Sequence, residues 1–480
     1  MIFSSPVFIL LFLPLVLVVT LVSPRSWRNV ELLAASLLFY AWGEGLFLVV
    51  MLASISANYG FGLWAERARA RGAGRLSLVP AVSFNLGLLF VFKYANWIWR
   101  ELSALVGFWS GEQPGLPELD PMHLPIGISF FTFQALSYVI DVQRGAVPAQ
   151  RSWIRFGVYV SLFPQLVAGP IVRYRDVAAQ IVSRTIRAPE FAEGVRRFVI
   201  GLAKKMLIAN TLAYPVDEIF ALPTEQIAPS VAWLAMVGYA LQIYFDFSGY
   251  SDMAIGLGRM LGFRFLENFE YPYVARSITE FWRRWHISLS SWFRDYLYIP
   301  LGGNRGAPGR TYLNLLIVFV LCGLWHGASW SFLVWGLYHG CFLVIERAGL
   351  GRLLERLPNP LRLAYSLLVV LVGWVFFRSE TLGQALDVLT CAFGAAGEQQ
   401  HFTNVWVFAT PVVWLALGVG IVASVPWLPA FGTWRVRHST TFVRALAFEV
   451  IALGSIAVLF YLSMLELAAG SYNPFIYFRF

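Results

Sequence analysis

The sequence predicts an all-α, polytopic membrane protein of about eleven to thirteen transmembrane or re-entrant helices around a central tunnel. Three observations point to the membrane. Hydrophobic side chains make up 58% of the 480 residues and charged ones only 13%, about half the charged share of a soluble domain. Apolar stretches of roughly crossing length alternate with short polar loops from one end of the chain to the other. The loops also alternate in sign, as positive-inside topology requires. The net charge of +9 therefore belongs to loops at a lipid surface, and nucleic acid is excluded as a partner.

Taken in order, the candidate spans are residues 3–22, 30–42, 46–64, 76–98, 124–141, 195–214, 230–250, 313–325, 329–346, 363–377, 405–425 and 445–467. The first has no basic region before it and no small-residue cleavage site, so it reads as a retained helix. Basic loops fall at 24–28, 66–75, 144–155, 173–187, 259–310, 347–362 and 435–444. Loops that are acidic or poor in Lys and Arg fall at 43–45, 111–123, 217–229 and 397–404. Placing the basic set in the cytoplasm gives a consistent zigzag with the amino terminus outside. Several spans are too short to cross unaided. Residues 156–172, broken by Pro164 and Gly169-Pro170, read as re-entrant, and 381–393 as an interfacial helix. With no internal repeat and no soluble stretch, residues 1–480 read as one transmembrane domain. Cys322, Cys341 and Cys391 lie in apolar segments without CxxC spacing, which favours packing over a disulfide or a metal site.

Residues 313–345, LNLLIVFVLCGLWHGASWSFLVWGLYHGCFLVI, carry no acidic or basic side chain other than histidine. His326 sits in the middle. An ionisable group is costly in hydrocarbon and is retained mainly where it faces a cavity or does chemistry, which disfavours a plain packing role. At ~1.5 Å per residue, the roughly fifteen residues before it climb about 22 Å, less than the ~30 Å of a bilayer core. A turn at Gly327 would leave His326 recessed below the far surface, on a hairpin spanning 311–346. His339, in the same hairpin, lines or caps the chamber, and packing is the favoured reading. His123, His401 and His438 lie in loops.

The interruption at 259–310, RMLGFRFLENFEYPYVARSITEFWRRWHISLSSWFRDYLYIPLGGNRGAPGR, mixes tryptophans and arginines with a second histidine, His286. It reads as a cytoplasmic or re-entrant segment. His286 is either a second catalytic group or a residue orienting Trp285. Helical spacing from Glu280 puts Arg283, Arg284 and Ser288 on one face and Trp282, Trp285 and Leu289 on another. Gly302-Gly303-Asn304-Arg305-Gly306 offers backbone amides and a guanidinium to an anion. Asp246 in IYFDFSGYSDMAIG is either part of an ion pathway or an anchor for the basic loop, and Asp141 is similar. The helix at 190–209 reads as a basic membrane-surface face through Arg196, Arg197, Lys204 and Lys205.

The strings LPIGISFFTFQALSYVIDV, LFPQLVAGPIVRY, YFDFSGYSDMAIGLGRMLGF, ITEFWRRWHISLSSWFRDYLYIPLGGNRG and GLWHGASW together closely resemble the membrane-bound O-acyltransferase family, in its bacterial alginate O-acetylation branch. The likeness runs from IFSSPVF to NPFIYFRF. It implies helices around a tunnel joining both membrane faces. His326 matches the histidine of the family's LWHG motif, and His286 that of its WHxSLS motif. It further implies an acetyl group taken from a cytoplasmic donor substrate, acetyl-CoA being the expected one, with no permanently bound cofactor and no metal. Such a donor would meet Arg283, Arg284, Arg294, Asn304 and Arg305. The implied acceptor is a periplasmic serine-hydrolase-like acetyltransferase within a polysaccharide secretion complex of the inner membrane. Alginate is the first expectation for the polymer. His326 as base toward a hydroxyl and His326 as acyl carrier both stay open. A proton-coupled transporter or export channel is the competing class, and an inert scaffold is a third that gives no reason to bury His326.

Overall fold

The computed structural model describes residues 1–111, 116–117, 120, 122–395, 403–427, 432, 434, 438, 441–470 and 472–474. The described residues are helical or irregular, without strands. Among them, six helical runs are long and apolar enough to cross a membrane: Arg28–Ala70, Leu76–Ser110, Pro229–Met260, Pro308–His326, Asn359–Arg378 and Phe442–Ala468. Shorter apolar helices accompany them, such as Pro411–Ala423. The all-α, multi-pass expectation holds. His401 lies outside the described residues, as does most of the loop at 397–404.

Two compact units emerge. The first comprises Met1–Phe3, Val7–Phe191 and Leu257–Leu266. Its middle is the Ile128–Arg144 helix, which is buried along almost its whole length. The helix starts after Gly127, whose positive φ of 75° suits a residue without a side chain. A Cβ there would also come within 2.5 Å of the Leu166 carbonyl oxygen. The stretch read as re-entrant is broken as expected, into Trp153–Ser161 and Phe163–Leu166 with Pro164 in the second piece. Two neighbouring helices are joined by reciprocal amide bonds between Asn58 and Asn85, at 3.1 and 2.8 Å. Such bonds satisfy polar groups that lipid cannot.

The second unit comprises Ser4–Pro6, Ala192–Gly256 and Glu267–Phe480. It holds the helix Pro229–Met260 as far as Gly256; at 32 residues the helix is longer than the expected 230–250. The helix runs on through its polar stretch because the carboxylates there are neutralised. Lys205 meets Asp246 at 2.9 Å, with both side chains buried. Asp252 takes Lys204 at 2.6 Å and Arg197 at 2.8 Å. This corrects the basic surface face expected for 190–209: three of its four cations turn inward to acids, and Arg196 pairs with Glu449 at 3.0 Å. A cation at that depth is stable only beside an anion. Glycines allow the close approach. A Cβ on Gly201 would lie 2.5 Å from the Gly249 carbonyl oxygen, and one on Gly256 at 2.5 Å from that of Gly194.

Candidate active site

The helix Pro308–His326 ends on its histidine, and the chain turns at Gly327 into the helix Trp330–Ile345, capped by the Ser329 hydroxyl. The two helices cross at Gly323 and Gly336, where a Cβ on Gly323 would strike the Phe332 carbonyl oxygen. That crossing holds His326 within an aromatic shell. Its ring lies 4.9 Å from Trp325 and 5.1 Å from both Trp335 and Phe377, all edge-on. His326 is 5% exposed, buried within the protein. His339, fully buried one helix further on, packs against Trp282 at 5.1 Å and Trp335 at 5.3 Å, and neither of its ring nitrogens is hydrogen-bonded among the described residues.

The segment leading up to the hairpin is not one helix. Helix Ile278–Arg284 ends where Trp285 turns extended, and His286 takes a left-handed conformation (φ 44°) before helix Ile287–Phe293 begins. The continuous face expected for Arg283, Arg284 and Ser288 is therefore corrected: Ser288 belongs to the next helix, turned away by the break. The break swings His286 inward. Its ring meets Phe247 edge-on at 4.6 Å and Trp325 at 6.1 Å, so the indole of Trp325 touches both imidazoles. The Nδ1 of His286 lies 3.1 Å from Asn268 Oδ1 and 3.5 Å from the Ser288 hydroxyl, and its Nε2 has no hydrogen-bond partner among the described residues. Burial pushes the pKa of His286 down to about 3, so its ring stays neutral.

Glu346 fastens this segment to the hairpin. Its carboxylate accepts the amides of Ile278 (2.6 Å) and Thr279 (2.9 Å), the Thr279 hydroxyl (2.6 Å) and the Tyr365 hydroxyl (3.2 Å). These are helix-terminal amides that would otherwise lack acceptors. Beside the joint lies a cavity of about 400 Å³ whose lining includes Arg283, Arg347 and Arg362. None of the three forms an ion pair among the described residues. A second, more apolar cavity of about 470 Å³ shares Thr279, Arg283, Leu315 and Leu343 with the first and extends to Ser290, Arg294 and Cys322.

The family model described as MBOAT, membrane-bound O-acyltransferase family, matches residues 121–373. The probable alginate O-acetylase AlgI of Pseudomonas putida is 44% identical over the full length of both chains, and that of Azotobacter vinelandii 42%, also over both full lengths. A peptidoglycan O-acetyltransferase of Helicobacter pylori is 30% identical over all of this chain and 98% of its own. The chain belongs to the membrane-bound O-acyltransferase family. It is a multi-pass membrane O-acyltransferase, and the transporter and scaffold alternatives fall away.

Within this O-acyltransferase the expected site residues are distributed unevenly. His286 and His326 converge on Trp325. Arg283 lines both cavities and Arg294 the apolar one, where it also bonds Asp295 at 2.7 Å. Arg284, Asn304 and Arg305 line neither. Arg284 is held by Glu280 and by the Glu270 carbonyl oxygen. Asn304 accepts from the Tyr298 hydroxyl. The amides of Gly302, Gly303 and Arg305 bond to carbonyls within the turn, which leaves them occupied. Sequence reasoning passed over Asn268, Glu346, Arg347 and Arg362. Only Glu346 carried a signal, as the acid that ends a long uncharged run.

Proposed function

We propose that this O-acyltransferase moves an acetyl group from cytoplasmic acetyl-CoA, across the bacterial inner membrane, to a periplasmic acceptor that O-acetylates an exopolysaccharide, with alginate as the polymer. The observation that carries the reading is the pair of buried imidazoles on one indole. The cavity lined by Arg283, Arg347 and Arg362 shares four lining residues with the apolar cavity, and that one reaches Ile287 and Cys322, neighbours of His286 and Trp325 in the chain. Full-length relatives named as alginate O-acetylases support the polymer. Three guanidiniums that form no ion pair among the described residues, although Glu346 and Glu355 share the lining, suit the phosphates of the donor's head, and the adjoining apolar cavity suits its neutral thioester arm.

In the transfer step His326 takes the proton of the attacking hydroxyl as the new C–O bond forms. The C–S bond then breaks, and the departing thiolate receives that proton from the imidazolium. Its aromatic surroundings keep water from the thioester and so suppress wasteful hydrolysis. His286 assists as a neutral base or hydrogen-bond acceptor. The acceptor in this reading is a serine-hydrolase-like partner of the secretion complex, its serine hydroxyl being the attacking group.

The test uses membrane vesicles carrying the full chain, radiolabelled acetyl-CoA on the cytoplasmic side, and the secretion machinery. Label should accumulate on polymer or partner, and His326→Ala should lower the rate by roughly 10²-fold or more while remaining membrane-inserted. A folded His326→Ala protein with full transfer activity would overturn the assignment.

A further inference from the structure

We propose that Asn268 is a positioning residue that fixes the tautomer of His286, so that Nε2 presents its lone pair to the reacting groups. The inference rests on the reading of His286 as part of the transfer machinery. It starts from a backbone amide. The N–H of Ser288 can only donate, and it points at Asn268 Oδ1 from 3.2 Å. The Ser288 hydroxyl donates to the same atom at 2.9 Å. At the other end of the carboxamide, Nδ2 donates to Ser251 Oγ at 3.0 Å. The amide is thus oriented by groups other than the histidine, and the atom facing His286 is an oxygen.

An oxygen with no proton bonds only to a donor. Two groups reach His286 Nδ1, Asn268 Oδ1 at 3.1 Å and the Ser288 hydroxyl at 3.5 Å. The hydroxyl has one hydrogen and gives it to Oδ1 at the shorter 2.9 Å, so the contact with Oδ1 assigns the ring's hydrogen to Nδ1. A neutral imidazole has one such hydrogen, which leaves Nε2 as the accepting nitrogen. That atom is buried and has no donor among the described residues. The arrangement is the one a carboxylate gives an orienting histidine in hydrolytic triads, with an amide in its place.

The same asparagine holds the histidine's backbone. His286 has φ 44°, a conformation uncommon for a residue with a side chain. The two amides that follow it are both bonded to Asn268, that of Ile287 to the carbonyl oxygen at 2.9 Å and that of Ser288 to Oδ1. Asn268 itself is 1% exposed.

Three full-length variants and one spectrum test this. Asn268→Ala should lower kcat by roughly 10²-fold with the donor KM within about twofold of wild type. Asn268→Asp keeps an acceptor at the Oδ1 position and should return to within about tenfold of wild type. Nitrogen-15 magic-angle-spinning spectra of histidine-labelled protein, with the His286 signals assigned by their loss in His286→Gln, should show the hydrogen on Nδ1. Wild-type kcat in Asn268→Ala, an Asp variant no better than Ala, or a hydrogen on Nε2 in the wild-type spectrum each overturns the proposal. If Asn268→Ala does not fold, the wild-type spectrum and the Asp variant decide. A fully active His286→Gln protein sinks the catalytic reading of His286 and this inference with it. An inactive His286→Gln beside a fully active Asn268→Ala sinks the inference alone.

Discussion

The carboxylate of Glu346 takes both the amide (2.9 Å) and the hydroxyl (2.6 Å) of Thr279, so the end of the hairpin's second helix caps the start of the Ile278–Arg284 helix. One acid thereby couples the segment bearing Arg283 to the hairpin bearing His326. Glu346→Ala would leave two helix-terminal amides without acceptors, at a cost of about 2–3 kcal/mol. Thermal unfolding in detergent should show a lowered Tm, and the donor KM should rise because Arg283 loses its placement. Glu346→Gln keeps an acceptor and should lose less. Equal losses for the two substitutions would mean that charge, rather than capping, is what Glu346 contributes.

Much of this was legible in the sequence, and what was not has a common cause. Hydropathy and loop sign marked the helices, and Gly327 marked the turn after His326, because burial and turn chemistry are local signals. The inward cations Arg197, Lys204 and Lys205 were hidden because their partners, Asp252 and Asp246, lie about forty residues or more away and only packing brings them together. The break at His286 escaped periodicity because a left-handed residue other than glycine leaves no compositional mark. Asn268, Arg347 and Arg362 matter through cross-chain geometry, which no spacing rule reports.

The arginine cavity makes a binding prediction that separates head recognition from chemistry. Arg347→Ala and Arg362→Ala should each raise the donor KM by about tenfold and leave kcat within about twofold, as expected for lost charge-assisted contacts made equally before and during transfer. Arg305→Ala should change neither, because Arg305 lines neither cavity. Initial rates against donor concentration, repeated with a donor lacking its 3′-phosphate, check the assignment. An unchanged KM in both Arg347→Ala and Arg362→Ala removes the cavity from the donor site.

His286 also links stability to pH. Its folded pKa is depressed to about 3 from 6.5, so below pH 6.5 the unfolded chain binds a proton that the folded site refuses. Stability from this group is complete above pH 6.5 and falls by up to ~1.4 kcal/mol per pH unit as pH drops toward 3. The detergent-solubilised protein should therefore lose Tm between pH 6.5 and 4.5 more steeply than His286→Gln. Parallel curves for the two proteins would show that the ring is solvated in the native state.

The crossing of the two hairpin helices gives the sharpest mechanical test. A Cβ on Gly336 would collide with the Phe319 carbonyl oxygen and lie 3.3 Å from the Gly323 Cα, so Gly336→Ala must push the helices apart. Gly323 stands one turn before His326, and the displacement passes directly to the imidazole. Misplacing a reacting group by about 1 Å can cost roughly 10²-fold in rate, and that is the loss expected for transfer by membrane-inserted Gly336→Ala. Gly309→Ala, in the first turn of the same hairpin with nothing near its added carbon, should be silent. Radiolabel transfer in matched vesicles reads both. A Gly336→Ala protein with the wild-type rate would mean that His326 is held by its aromatic neighbours, Trp335 and Phe377, and not by the helix crossing.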